Sequence, residues 1–304
     1  MSKIDSLLHV SKAVIMVVTL GLLVQNALAA DVETIRQQGV LRHLGIPYAH
    51  FVREGPIGAD GLDVELMKLF AAHLGVRYEL VKTTWSKAFG DLTGQQVSPD
   101  GDGVRVLGKT PIRGDILANG LTMLPWREKV VIYSEPTFPT GVWLVARADS
   151  PIKPIKPSGD VETDIKQVKA LLRGHSVLAM KGTCLDPELY DLGEAGADIR
   201  LYTKSQNLGE MAPAIMNDEA EATILDVPDA MVALQKWPGE IKIIGPISKP
   251  QLMGVAAAKS SSALIGEFNR FFQKLWKEGA YERLVRKYYP SVFIYMGDFF
   301  AAKN

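Results

Sequence analysis

The chain has 304 residues, of which 47% are hydrophobic and 22% are charged. That composition is ordinary for a globular protein, and the length suits one large domain or two medium ones. Lys and Arg together number 34, as do Asp and Glu, so the formal net charge is +0. Because no basic excess is available to bind phosphates, we exclude nucleic acid as a partner. Cys184 is the only cysteine, which excludes a disulfide within the chain and a cysteine-based zinc site.

The N-terminal segment at 1–30 has the pattern of an export sequence. Lys3 and Lys12 precede or flank an apolar run at 13–24, and the residues ALA follow at 27–29. A basic start, a short apolar core and an A-x-A ending are typical of a cleavable secretory signal peptide. The alternative is an uncleaved membrane anchor, but a span needs about 20 apolar residues. We predict a signal peptide at 1–30 and a periplasmic protein without lipid attachment, since no cysteine lies near the cleavage site.

After Asp31, short apolar runs alternate with helical patterns, which indicates an α/β architecture. Apolar residues with helical spacing predict a helix over 61–75. The segment at 93–114 is rich in Gly, Pro and Asp and lacks periodicity, so we predict an extended surface loop there. Strands are predicted at 40–46, 76–83, 114–121, 141–147, 176–182, 241–247 and 252–258.

Further helices are predicted in the second half of the chain. Asp186 as N-cap, with Pro187 at the first helical position, predicts a helix start. Residues 222–235 predict a strand, a turn and a helix. After the three serines at 260–262, helical spacing of aromatic and aliphatic residues predicts core helices up to Pro290.

Arg127 lies at the end of an apolar segment in the stretch NGLTMLPWREKVVIYSEP, residues 119–136. A lone arginine between a strand and a helix is usually a surface residue. The alternative is a guanidinium held ready for a ligand, because its planar fork donates two parallel hydrogen bonds to a carboxylate.

The order of several motifs resembles that of the family 3 extracellular solute-binding proteins, the polar amino-acid receptors of ABC importers. GADGLDVEL at 58–66 is followed by Trp85, GDILANGLT at 114–122, Arg127 and YSEP at 133–136. Farther on come Gly182-Thr183 after a strand, Asp226 at the end of another, and the KYYP motif at 287–290. The resemblance covers nearly all of the chain after the signal peptide.

The resemblance implies ligand-binding roles for a set of residues. Arg127 would bind the ligand α-carboxylate together with Thr122, the Gly120 carbonyl would accept from the ligand ammonium, and Asp226 would pair with that ammonium. An acid at the end of a strand also lies where α/β folds bind ligands; alternatively Asp226 caps the following helix, unless Asp229 does so. The predicted ligand-binding residues are Arg127, Thr122, Asp226, Gly120, Asn119, Thr183, Cys184, Tyr48, Phe51 and Trp85.

Cys184 departs from the hydroxyl residue that the family often has at its position, and cysteine is a weaker donor. A small buried thiol is its ordinary alternative role. Tyr48, Phe51 and Trp85 match aromatic residues that sandwich the ligand side chain, and for each of them core packing is the alternative. The histidines show no metal-ligand spacing, so we predict no metal and no cofactor.

The resemblance implies a two-lobed α/β fold of the periplasmic-binding-protein type, in which each lobe is a mixed sheet flanked by helices and two hinge crossovers join the lobes. We predict lobe one at 31–140 plus 253–304 and lobe two at 141–252, with hinges near 140–141 and 251–254. The expected function is capture of a small carboxylate-bearing ligand, an amino acid, by a monomer that closes and docks on an inner-membrane ABC permease.

We predict a transport receptor and not an enzyme. Two other classes of function are alternatives to it. Cyclohexadienyl dehydratases have the same architecture, and Glu65, Lys82 or Lys181 could be recruited for such chemistry, although their spacing indicates no general acid. Lytic transglycosylases carry such a domain before a catalytic one, for which we expect no room after Pro290. The remaining alternative is a periplasmic partner or sensor with a degenerate cleft.

Overall fold

The computed structural model describes residues 31–56, 58–101 and 103–301. The predicted signal peptide at 1–30 lies outside the described residues, as does the end of the chain at 302–304. The described part forms a two-lobed α/β fold in which helices flank two mixed sheets. Its strands are β1 Val40–Gly45, β2 Arg53–Gly55, β3 Gly58–Asp60, β4 Arg77–Lys82, β5 Gln95–Asp100, β6 Gly103–Lys109, β7 Ile116–Thr122, β8 Val131–Tyr133, β9 Phe138–Thr140, β10 Val142–Arg147, β11 Ser176–Ala179, β12 Asp198–Leu201, β13 Ala222–Asp226, β14 Ile241–Pro246 and β15 Gln251–Ala258.

The helices pack on the faces of these sheets and, where they are amphipathic, bury one apolar stripe. Short 3₁₀ turns lie at Pro187–Tyr190, Leu208–Glu210 and Lys259–Ser261. The α-helices are α1 Val32–Gln38, α2 Leu62–Leu74, α3 Ala88–Thr93, α4 Pro125–Glu128, α5 Val161–Ala170, α6 Met211–Met216, α7 Val227–Lys236, α8 Ser262–Lys277, α9 Ala280–Tyr288, α10 Val292–Tyr295 and α11 Gly297–Ala301.

The first sheet has the order β4-β1-β7-β15-β8, with β9 paired to β15. Strands β4 and β7 run parallel to β1, whereas β15 is antiparallel to its partners. The second sheet has the order β12-β11-β13-β10-β14, in which β10 is antiparallel to β13 and β14. The central strands β7 and β13 are buried at every residue. Both therefore end inside the molecule, where α/β sheets hold their ligands.

The chain passes between the two sheets twice. It leaves the first sheet at the end of β9 and enters the second with β10, so that only Gly141 separates them. It returns across residues 247–250 between β14 and β15. Residues 251–254 belong to β15, where Gln251 pairs with Thr140. The lobe boundaries at 140–141 and 252–253 stay predictions.

Two local predictions were wrong. The segment at 93–114 is largely a β-hairpin made by β5 and β6 rather than a loop. Most of its residues are exposed or half-buried, so cross-strand hydrogen bonds form it without the alternating apolar pattern that marks a buried strand. The helix predicted after Asp186 is a single four-residue 3₁₀ turn, because Asp191 adopts φ 51° and ends it.

The aromatic residues of the C-terminal helices form core, as their spacing predicts. Phe268 and Tyr281 are fully buried, and the residues after Pro290 continue this core. Phe300 stacks on Trp276 with 5.9 Å between the ring centroids. No helix among the described residues is both long and apolar enough to cross a membrane.

Candidate functional site

Arg127 is fully buried, although its charge is ordinarily found at the surface. Pro125 begins the short helix α4, which follows β7 after Met123 and Leu124 and carries Arg127. Its Nη1 donates to the carbonyl of Thr122 at 2.9 Å. Around the guanidinium stand three aromatic rings, with Trp85, Phe89 and Trp126 centred 5.5, 5.8 and 5.4 Å from Cζ. The ordinary surface-arginine alternative is therefore excluded by burial.

The Nε and Nη2 atoms of Arg127 have no hydrogen-bond partner among the described residues. An unpaired buried charge lowers the free energy of unfolding by about 3 kcal/mol or more. A buried guanidinium without a full set of acceptors is therefore unfavourable for stability. In Arg53, the same two nitrogens, Nε and Nη2, bind a carboxylate together. Its Nε and Nη2 hold the two oxygens of Asp60 at 3.0 and 2.7 Å. The same edge of Arg127 thus has the geometry for one carboxylate.

Strand β7, which precedes Arg127, carries two further buried polar side chains. The Oγ1 of Thr122 and both polar side-chain atoms of Asn119 are buried and have no partner among the described residues. Between them, Gly120 adopts φ 62°, a left-handed conformation that glycine adopts without strain. A Cβ at this position would lie 2.4 Å from Cδ2 of Phe51. Glycine therefore lets β7 approach Phe51 closely.

Asp63 supports this part of β7, a role that the sequence reasoning missed. Its Oδ2 accepts a hydrogen bond from the amide of Gly120 at 2.6 Å. Burial raises the pKa of Asp63 to about 7, and the hydrogen bond from Gly120 opposes the rise. The carboxyl group therefore orients the strand that bears Asn119 and Thr122. Its place in the first turn of α2, after Gly61, is the only sequence feature that points to it.

Asp226 ends β13 in the other lobe and is fully buried. Its Oδ2 accepts hydrogen bonds from the hydroxyl of Tyr48 at 2.9 Å and from the thiol of Cys184 at 2.8 Å. Its Oδ1 has no partner among the described residues. Burial raises the pKa of Asp226, while the bonds from Cys184 and Tyr48 and the charge of Arg127 lower it. The two opposite charges therefore act on each other across the lobes.

The capping alternative for Asp226 does not hold. It occupies the N-cap position of α7, but its side chain makes no capping hydrogen bond. Asp229 is not the cap either, because it lies within the first turn of α7. The carboxyl group of Asp226 instead accepts hydrogen bonds from Tyr48 and Cys184.

Cys184 and Thr183 are already engaged within the protein. The Oγ1 of Thr183 donates to the Met180 carbonyl at 2.8 Å and accepts from the Leu185 amide at 3.0 Å. The thiol of Cys184 is committed to Asp226, and burial raises its pKa well above the ordinary value. The predicted helix start beside these residues is a 3₁₀ turn of four residues. So short a turn lacks the aligned dipole by which the start of a long helix attracts an anion.

The three predicted aromatic residues separate into two groups. Tyr48 and Trp85 meet edge to face at 6.0 Å, and the Trp85 ring also faces Arg127. Phe51 stacks behind Tyr48 at 5.8 Å and packs on Phe138 and Tyr289 at 5.2 and 5.0 Å. Phe51 is therefore a core residue that supports Tyr48 and Gly120.

Unpaired buried polar atoms concentrate at the predicted site. Among the described residues, nine buried side-chain nitrogen and oxygen atoms have no hydrogen-bond partner. Six of the nine belong to four predicted residues: two to Asn119, one to Thr122, two to Arg127 and one to Asp226. Buried polar groups are normally hydrogen-bonded, so such a concentration of unpaired atoms is unusual in a protein interior. We call these four residues the polar cluster.

Curated proteins similar to this chain fall into two groups. It is 27% identical over 263 residues to the membrane-bound lytic murein transglycosylase F of Desulfosudis oleivorans, covering 85% of this chain and 50% of that protein. It is 23% identical over 231 residues to the arginine-binding extracellular protein ArtP of Bacillus subtilis, covering 75% and 77% of the two chains. The chain thus spans about half the length of the transglycosylases that it matches.

Solved structures of amino-acid-binding proteins share the fold. A mutant of ArgBP from T. maritima has a TM-score of 0.67 and 23% identity, covering 85% of this chain and 99% of that one. The ancestral amino acid-binding protein AncCDT-1, described as a precursor of cyclohexadienyl dehydratase, has a TM-score of 0.66 and 23% identity over the same shares of the two chains. These likenesses confirm the two-lobed architecture predicted from the sequence.

A family model matches residues 112–291, which include β7, Arg127, the whole second sheet and the C-terminal helices up to α9. The match confirms the resemblance inferred from the order of motifs. The chain belongs to the bacterial extracellular solute-binding proteins, family 3.

Proposed function

We propose that this protein is a periplasmic solute-binding protein that captures an amino acid or a related small carboxylate for an inner-membrane ABC permease. In this proposal it acts as a monomer and performs no catalysis. The observation that carries the proposal is the pair of buried, incompletely satisfied charges, Arg127 on the first lobe and Asp226 on the second. The permease is implied by the family.

The guanidinium of Arg127 provides the carboxylate site in this proposal. Nε and one terminal nitrogen share an edge of the planar group, so they donate to both oxygens of a carboxylate at once. Arg53 holds Asp60 by this edge. The hydroxyl of Thr122 adds a third donor, because its Oγ1 is buried and unpaired.

The ligand ammonium pairs with Asp226. Its Oδ1 is buried and unpaired while Oδ2 is held by Tyr48 and Cys184. Asn119 contributes both a donor and an acceptor, and Tyr48 and Trp85 supply aromatic walls for the side chain. A cationic side chain would be favoured there by about 0.5–2 kcal/mol. Thr183, Cys184 and Phe51 then act by positioning other groups.

Closure of the two lobes brings the opposite charges to one ligand. Residues 31–140 plus 253–304 form one lobe in this proposal and residues 141–252 the other. Excluding water lowers the local dielectric constant and strengthens both charge contacts. The ligand thereby stabilises the closed form by its differential affinity for it.

A thermal-shift screen of the purified protein against the common amino acids and small carboxylates tests the proposal. Bound ligand stabilises by RT ln(1 + [L]/Kd), about 2.7 kcal/mol at a hundredfold excess over Kd. We expect at least one amino acid to raise Tm in the wild type. The Arg127→Met variant should lose that rise.

The same variant separates binding from a structural role. Met removes an incompletely paired buried charge, but it also removes the opposite charge that acts on Asp226 and the bond to the Thr122 carbonyl, so the ligand response of Arg127→Met is measured as the change in Tm relative to the unliganded variant itself. The control is Arg105→Met on the exposed β6 strand, which should keep the ligand response. The absence of any amino acid ligand, or an undiminished response in Arg127→Met, would refute the proposed function.

An enzyme on the same fold is the second candidate, because two buried carboxyl groups at the start of α7 have raised pKa values. Burial is the largest cause for both Asp226 and Asp229, and protonated carboxyl groups serve as general acids. Glu65, Lys82 and Lys181 instead pair with surface partners outside the polar cluster. If the wild type turns over prephenate or arogenate and Asp226→Asn does not, the protein is a dehydratase and not a transport receptor.

A partner or sensor role would use the same fold without transport. The relatives named lytic transglycosylase F motivate this alternative, since the chain matches about half of each. The test uses the wild type, in which the buried Arg127 is intact. Failure to bind any amino acid, together with no ligand-induced closure in small-angle scattering, would favour the partner or sensor role.

A further inference from the structure

A cavity of about 340 Å³ lies between the lobes and is lined in part by Tyr48. The segment at 47–53 forms one wall, and the second lobe provides the other through residues 207–212 and helix α7. Its size is within the usual range of small-ligand pockets, roughly 300–1,000 Å³. The residues that line it do not include Asn119, Thr122, Arg127 or Asp226 among the part of the chain described.

Asp229 lines this cavity and is 5% exposed. Its Oδ2 has no hydrogen-bond partner among the described residues. Burial raises its pKa well above the ordinary value, the charge of Asp226 adds to the rise, and hydrogen bonding to Tyr48 opposes it. An unpaired buried carboxyl group is costly, and a donor cation is the partner that removes most of that cost.

The side chain of Tyr48 belongs to both the cavity wall and the surroundings of the polar cluster. Tyr48 lines the cavity and is 3% exposed, while its hydroxyl is donated to Asp226 at 2.9 Å. A molecule in the cavity therefore meets Asp229, one helical turn beyond Asp226, and none of the four residues of the polar cluster. Both carboxyl groups interact with Tyr48, but Asp229 lines the cavity and Asp226 does not.

The cations around the cavity are engaged or stand at its rim. Arg53 is held by both oxygens of Asp60. Lys236 is exposed, with its Nζ 5.7 Å from the centre of the Trp237 ring. His50 contacts the Tyr288 carbonyl at 3.0 Å, and burial lowers its pKa, so it stays neutral at pH 7. The inner end of the cavity is thus acidic, and one part of the wall is apolar, formed by Leu208, Leu225 and Val232.

We propose that this cavity is a second binding site, which takes the primary ammonium group of a small amine on Asp229 and the hydrocarbon stem of that amine on its apolar wall. The ammonium donates to the free Oδ2 and fixes Asp229 as a carboxylate. The exposed Lys236 disfavours a second positive charge at the outer end, which selects monoamines over diamines.

Titration of the purified protein with n-pentylamine by isothermal calorimetry at pH 7 tests the proposal, with pentan-1-ol as the neutral analogue. We expect the amine to bind and the alcohol to bind at least tenfold more weakly. Asp229→Asn, which keeps the shape of the side chain, should weaken amine binding at least tenfold. The matched control is Glu240→Gln at an exposed acid, which should bind as the wild type does.

The Arg127→Met variant distinguishes this site from the proposed receptor site. It should bind n-pentylamine as the wild type does, even if the amino acid response is lost or was never present. Three results would overturn the proposal: no binding of the amine to wild type, undiminished binding in Asp229→Asn, or loss of amine binding in Arg127→Met. Circular dichroism of each variant establishes that it is folded.

Discussion

The hydroxyl of Tyr48 donates a hydrogen bond to Asp226 at 2.9 Å, between residues 178 positions apart in the sequence. Tyr48 follows β1 of the first sheet, and Asp226 ends β13 of the second, so this bond joins the two lobes. It occupies one oxygen of the carboxyl group and leaves the other unpaired. A side chain of the protein thus holds the lobes together at the point where we propose that the ligand ammonium binds.

The first prediction concerns this bond. A hydrogen bond to a charged group contributes about 1.5–3 kcal/mol, and each 1.4 kcal/mol is a factor of ten. We expect Tyr48→Phe to shift the unliganded protein toward the open form by about tenfold. Small-angle scattering should show a larger radius of gyration than in the wild type. Tyr202→Phe, which removes a bond to Glu210 within one lobe, should leave the radius unchanged; equal radii in all three proteins would contradict the prediction.

The second prediction concerns the thiol of Cys184. The side chain is 1% exposed and burial raises its pKa well above the ordinary value, so the reactive thiolate is scarce in the closed form. We expect labelling by a disulfide reagent to be slow in the native protein and fast in denaturant. An amino acid ligand should slow it further, because closure is then favoured. Labelling at the denatured rate in native conditions would disprove the buried placement.

The third prediction concerns Gly120, which combines a φ of 62° with a contact that a Cβ would make with Phe51 at 2.4 Å. Left-handed strain and overpacking each cost about 1–3 kcal/mol. We expect Gly120→Ala to lower the free energy of unfolding by about 3 kcal/mol in urea denaturation. Gly193→Ala is the control, since nothing lies within 4 Å of its Cβ position. Similar stabilities of the two variants would show that the close approach is unimportant.

The fourth prediction concerns two buried groups whose effects on pH dependence oppose each other. Burial lowers the pKa of His43 from 6.5 to about 4, and burial raises that of Asp63 from 3.8 to about 7. His43 therefore contributes to the free energy of unfolding above pH 6.5, and this stabilisation is lost as pH falls toward 4. Asp63 contributes to the free energy of unfolding below pH 3.8, and this stabilisation is lost as pH rises toward 7. Between pH 4 and 6.5 the two slopes therefore offset each other.

In Asp63→Asn, the dependence of the free energy of unfolding on pH that His43 causes should no longer be offset. Its free energy of unfolding should fall by about 1.4 kcal/mol per pH unit below pH 6.5 relative to the wild type. Urea denaturation at several pH values between 4 and 6.5 measures this. Glu240→Gln serves as the exposed control, and a pH profile of Asp63→Asn parallel to that of the wild type would rule out the assigned shifts.

Much of the fold could be predicted from local patterns. Helix α2 at Leu62–Leu74 follows an apolar spacing that ends at Gly75, and the buried strands β1 and β10 follow short apolar runs. The order of motifs was sufficient to identify the family. Hairpin β5–β6 could not be found in this way, because it is mostly exposed and buries no alternating face.

The amino-acid sequence by itself determined which residues carry opposite charges, Arg127 and Asp226, and that each follows an apolar strand. Tertiary structure alone decided what each of them meets. Cys184 and Tyr48 reach Asp226 across 42 and 178 residues, and Asp229 turns to a separate cavity rather than capping its helix. Local spacing predicts strands and helices because these depend on neighbouring residues. The partners of a buried charge depend on how two lobes approach each other, which no local pattern encodes.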